Sequence, residues 1–105
     1  MDGLFGSQAR TDVLVAVARL GESYPSELAA LLGRQLTEVR RAIASLEEAG
    51  VVVTRTRGRT RLTTLNQRHP QAAPLYALLL DMSATPRYEG RFNVRRRPRA
   101  TGKIL

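Results

Sequence analysis

Between Gly50 and Asn66 the chain carries four arginines and no acid: Arg55, Arg57, Arg59 and Arg61 alternate with Thr54, Thr56, Gly58 and Thr60. Four guanidinium groups this close repel one another, and a row of phosphates or a minor groove would relieve the repulsion. Just upstream, Gln35, Thr37, Glu38, Arg40, Arg41 and Ser45 fall beside an apolar stripe of Leu36, Val39, Ala42, Ile43, Leu46 and Ala49. Steps of three and four along that stripe describe a helix with one buried face. The first two turns of its other face are polar and basic, and the acidic pair Glu47 and Glu48 is held back to the last turn. Arginine and short polar side chains at the start of an exposed helix are the groups that reach base edges in a major groove.

Around these residues the sequence predicts the elements that must hold them. Ser7 is a good N-cap, and Val13, Leu14, Val17, Ala18 and Leu20 recur at helical spacing, so a first helix is expected over residues 8–20, with Asp12 and Arg19 on its other face and Gly21 as its stop. Tyr24-Pro25 reads as an extended dipeptide, after which Ser26 would cap a short second helix bearing Leu28, Ala29, Leu31 and Leu32 and ending at Gly33. The third helix, residues 36–49, ends at Gly50. Residues 51–54 favour a strand, Arg57-Gly58-Arg59 a turn, and residues 60–65 a returning strand, with the basic wing itself spanning 54–61. A last helix is expected over 71–82. From Ser83 on periodicity disappears, and seven basic residues face Glu89 alone. The expected organisation is one domain, 1–82, and a basic C-terminal tail, 83–105, in which Arg95, Arg96, Arg97 and Arg99 are candidate contacts.

Composition agrees with a polyanionic partner. The formal charge is +8, and sixteen of the seventeen basic residues are arginine, whose planar fork suits phosphate and guanine alike. A GC-rich genome also explains arginine over lysine, but not the net charge. No cysteine is present and His69 is the one histidine, so no metal or other cofactor is expected. There is no His-acid-nucleophile set, no carboxylate pair in an apolar setting and no Gly-rich phosphate loop, so an enzyme is not expected. No apolar run is long enough to span a bilayer and no signal core opens the chain. The expected location is the cytoplasm, at the nucleoid.

The run Glu27-Leu28-Ala29, Leu32-Gly33, Val39, Arg41, Ile43, Leu46-Glu47-Glu48-Ala49-Gly50-Val51-Val52 resembles the winged helix-turn-helix of ArsR-like, and secondly MarR-like, transcriptional regulators. The opening Leu4-Phe5-Gly6-Ser7 with Arg10 and Val13-Leu14, and the closing Leu65-Asn66 with Pro70 and Pro74-Leu75, are similar to ArsR-like chains too. The fold implied is mainly α with a small β-hairpin (α+β), in the order α-α-α-β-β-α. The resemblance implies a homodimer on double-stranded DNA, with the third helix in the major groove and the hairpin as wing. Two departures stand out: the metal ligands of the sensing members are missing, and Leu36 and Glu38 stand where the family presents small polar residues.

The leading reading is therefore a dimeric DNA-binding regulator, a repressor, pairing through helix 8–20 and helix 71–82. Leu75, Leu78, Leu79 and Met82, widened by Tyr76 and Leu80, could also line a ligand pocket, though dimer packing fits better; no effector is identified. Two alternatives remain. A non-specific nucleic-acid or architectural binder would rest on the wing and tail, and a winged-helix protein-interaction module on Leu36 and Glu38. The tail itself could act on DNA phosphates, on RNA or acidic protein, or on solubility alone.

Overall fold

Ser7 caps the first helix as its sequence position predicts: its hydroxyl accepts from the backbone N–H of Arg10 at 3.1 Å, closing one of the orphaned donors at a helix start. The structure, a computed structural model, describes residues 6–92. Its elements are α1 (Gln8–Leu20), α2 (Pro25–Leu32), α3 (Leu36–Glu48), β1 (Val52–Arg57), β2 (Thr60–Leu65) and α4 (Ala72–Ser83), in the α-α-α-β-β-α order expected.

The middle of α1 is the centre of the molecule. Every residue from 11 to 18 is buried, because α2, α3, β2 and α4 all pack on this one helix. The stripe of α3 supplies Val39, Ala42, Ile43 and Leu46 to the same core, with Leu28 of α2, Val52 and Leu65 of the hairpin and Leu79 of α4. Burial of this stretch, residues 11–18, corrects two expectations. Asp12 lies inside, 3% exposed, and not on a solvated face. The apolar arc of helix 8–20 is consumed within one chain, which leaves its centre no surface for a partner copy.

Between α2 and α3 the chain turns through Gly33 at φ 66°, and the Gly33 N–H donates to the Ala29 carbonyl. That left-handed conformation costs an L side chain about 1–2 kcal/mol, and glycine avoids it. Helix α2 itself starts two residues earlier than expected. Pro25 occupies its first position, where the missing N–H costs nothing, and Tyr24, not Ser26, is the N-cap.

The hairpin is longer on its first strand than the β-branched run alone implies. Pairing extends from Val52↔Leu65 to Arg57↔Thr60, so the turn is the two-residue Gly58-Arg59. Gly58 has φ 64° and no other residue of the turn has a positive φ, the pattern of a turn with glycine first that matches strand twist. Ser23 adds an unforeseen bridge: its N–H and carbonyl exchange hydrogen bonds with Thr63 at 3.1 and 2.7 Å. This ties the loop after α1 to the root of the wing.

Beyond α4 the chain does not leave the domain. Tyr88 and Phe92 are each 3% exposed and belong to the core, with rings stacked at 6.2 Å between centroids. The folded unit thus reaches at least Phe92, not 82. Arg95, Arg96, Arg97 and Arg99 lie outside the described residues.

Candidate nucleic-acid interface

The buried stripe of α3 fixes the rotation of that helix, and with it what faces outward. Thr37, Arg40, Arg41, Ala44 and Glu48 are exposed. Gln35 is exposed as well, and its side chain makes no capping bond. None of Arg40, Arg41, Arg59 and Arg61 has an acidic partner among the described residues.

Register divides the wing arginines into two groups. Residues directly opposite in an antiparallel pair share a face. Arg61 pairs with Thr56 and so lies on the face of Val52, Thr54 and Thr63, which is turned toward the core and α3; Arg55 and Arg57, paired with Leu62 and Thr60, lie on the reverse face. The sequence grouped all four together. In the structure Arg59 and Arg61 join Arg40, Ala44 and Glu47 around an open groove of about 620 Å³ between α3 and the wing, also lined by Thr54, Thr63 and Tyr24. Arg57 stands 3.9 Å from Glu22, while Arg55 lies with Arg68 along a separate depression. Three arginines against one glutamate leave the groove between helix and wing positive, and its lining joins the two devices that the sequence proposed separately.

On the opposite flank of α3 the structure gives two predicted residues specific partners. Ser45 is half-buried, and its hydroxyl accepts from Arg10 Nη1, so it fastens α1 to α3 and is not presented outward. Glu38 is held by Arg34, whose Nη1 donates to Glu38 Oε2 at 2.9 Å. The same guanidinium donates through Nε to Asp12 Oδ2, also at 2.9 Å.

Asp12 is the residue sequence reasoning missed most completely. Besides Arg34 it accepts from Tyr88 Oη at 2.6 Å, from Gln8 Nε2 at 2.9 Å and from Arg87 Nη2 at 3.1 Å. Burial pushes its carboxyl pKa up, but the hydrogen bonds from Arg87, Tyr88, Gln8 and Arg34 together outweigh burial and hold it below the usual carboxylate range. Burial in turn pushes the Tyr88 phenol up, and its bond to Asp12 adds to that. A signal for Arg34 was present, since Arg34 and Glu38 are spaced i,i+4. For Asp12 the one local mark is Gln8, four residues before it on α1; the partners that hold it inside lie up to 76 residues away.

Three helices, a two-stranded wing and a closing helix in this order, with the third helix presented beside the wing, define a winged helix-turn-helix protein. A model of the family HVO_A0114 matches residues 7–67, from α1 through the wing, and the chain belongs to that family. Among solved structures it is similar to a probable transcriptional regulator from Pseudomonas aeruginosa, at 14% identity and a TM-score of 0.57 over 97% of this chain and 78% of that one. It is also similar to a possible transcriptional regulator for arsenical resistance, at 22% identity and a TM-score of 0.48 over 92% of this chain and 97% of the other. The former likeness shows the shared fold. A comparison with curated protein sequences gave no match.

Among the described residues no group of three or more His, Asp or Glu side chains is placed to hold a metal ion. No helix of the described residues is long and apolar enough to cross a membrane.

Proposed function

We propose that this protein is a transcriptional regulator that binds double-stranded DNA, with α3 in the major groove and the wing on the adjoining backbone or minor groove. The observation that carries this reading is the positive groove in which Arg59 and Arg61 of the wing and Arg40 of α3 come together, with Thr37 and Arg41 exposed on the same helix outside it. A helix aimed at base edges and a basic ribbon on the flanking phosphates address one duplex at once. The similar structure from Pseudomonas aeruginosa, a probable transcriptional regulator, supports the same class. Arg41→Ala is expected to cost about 1–3 kcal/mol on the preferred site and to relax base preference, whereas Arg59→Ala weakens all sequences alike and flattens the salt dependence by about one unit. Fluorescence anisotropy on selected and random duplexes over a salt series checks both. Equal losses on the two duplexes for both variants would remove the recognition role from α3.

The regulator acts as a homodimer and as a repressor that occludes a promoter from the cytoplasmic nucleoid. With the middle of α1 enclosed, the pairing surface rests chiefly on α4. Tyr76 and Leu78 are each 44% exposed on it, with Leu75, Leu80 and Met82 half-buried alongside. Two chains joined through α4 would present two reading helices to successive turns of one duplex, about 34 Å apart. Leu78→Asp is expected to shift the protein to monomer in analytical ultracentrifugation while leaving its helical content intact, because the residue is a surface one. A variant that sediments like the parent rules out α4 as the interface.

A further inference from the structure

Glu38 is an anomaly on a surface built for phosphates. It occupies the third position of α3, in the turn that enters a groove first, and its side chain is 46% exposed. A free carboxylate there would be repelled by the backbone and would lose rotamer freedom on being ordered. The structure removes both costs. Arg34 Nη1 meets Glu38 Oε2 at 2.9 Å, and Arg34 is itself immobilised: its Nε is bonded to the buried Asp12 at 2.9 Å, and its backbone N–H donates to the Ala29 carbonyl at 3.0 Å. The cluster Asp12, Glu38, Arg34 and Arg87 contains two carboxylates and two guanidiniums, so Glu38 carries no uncompensated charge toward the DNA. It offers a fixed acceptor.

Resting on the proposed DNA-binding reading, we propose that Glu38 reads a base in the major groove by accepting a hydrogen bond from the exocyclic N4 amine of cytosine, with Arg34, anchored on Asp12, as its positioning residue. The choice of base follows from the groove itself. Guanine presents only the N7 and O6 acceptors and thymine the O4 acceptor, all of which oppose a carboxylate; adenine offers its N6 amine beside the N7 acceptor; cytosine offers a donor with no acceptor next to it on that edge. A carboxylate pinned on one oxygen keeps lone pairs on the other and can satisfy that single donor. Cytosine is therefore preferred, adenine second, and guanine and thymine rejected about tenfold or more.

The test is a selection of bound duplexes from a random pool, run with the full chain and with Glu38→Gln, Glu38→Ala and Arg34→Lys, each first checked for native circular dichroism and melting. The parent is expected to enrich one position in cytosine. Glu38→Gln should move that position to adenine, since an amide can donate to N7 while accepting from N6, and Glu38→Ala should erase the preference there while its neighbours hold. Arg34→Lys, which replaces a two-way fork by a point charge, should blur the same position alone. A parent that binds with sequence preference, unchanged in Glu38→Ala, overturns the assignment of Glu38 and leaves the regulator reading standing; a parent without duplex binding overturns both.

Discussion

Asp12→Ala is expected to destabilise the domain by about 3–5 kcal/mol, the usual cost of removing one partner from a buried ionic cluster. The reason is what it strands. Asp12 receives Arg34 from the turn before α3, Gln8 from the start of α1, and Arg87 and Tyr88 from the segment after α4. Its removal leaves the Tyr88 hydroxyl, 3% exposed as a residue, with no strong acceptor, takes from Arg87 its carboxylate partner and leaves Arg34 with Glu38 alone. A domain of this size has a total stability of about 5–10 kcal/mol, so the variant sits near the edge of folding. Asp12→Asn keeps the shape and an acceptor and should lose less.

The same cluster sets the acid response. Because the folded-state pKa of Asp12 is lowered, its contribution is complete above the unfolded carboxylate value of about 4 and is lost as pH falls through the folded value. The stability gap between parent and Asp12→Asn, measured as urea midpoints, should be constant from pH 5 to 7 and close progressively below pH ~4. A gap that stays open in strong acid would mean that the carboxylate charge contributes nothing.

How much of this was legible in the sequence depended on the distance over which each feature is decided. The stripe of α3, the stop at Gly33 and the returning strand are set by neighbours within a few residues, and the periodicity of Val39, Ala42, Ile43 and Leu46 marks the helix directly. Asp12 was placed outside because a polar residue in a helix is normally the solvated one. What makes it internal is a tyrosine and an arginine some 75 residues later, and no local pattern carries that pairing. The two-faced division of the wing arginines was half legible: period two separates alternate residues, but which face meets α3 depended on the register Thr56↔Arg61 and on the Ser23 bridge to Thr63. In the same way, Glu38 looked like a departure from a DNA-reading surface until Arg34 was seen between it and Asp12.

The segment after α4 gives the second large effect, and it changes how the basic tail can be tested. Residues 83–105 have no helical or strand periodicity, so an obvious experiment is to delete them and ask whether nucleic-acid binding survives. The structure predicts that a chain ending at Ser83 will not fold, since it loses Tyr88 and Phe92 from the core together with the Arg87 and Tyr88 bonds to Asp12. Phe92→Ala alone is expected to cost about 3–5 kcal/mol, as truncating a buried aromatic does, and the Tyr88 ring stacked on it at 6.2 Å would be left with a void. A chain ending at Phe92 retains these core residues and bonds while removing Arg95, Arg96, Arg97, Arg99 and Lys103. Its thermal transition should remain cooperative and within a few degrees of the full chain. If both truncations melt like the full chain, the strap formed by Arg87, Tyr88 and Phe92 is not part of the folded unit. If only the longer one does, its salt-dependent DNA affinity isolates the tail: the salt slope should flatten by about 0.9 for every phosphate that the tail neutralises in the full chain.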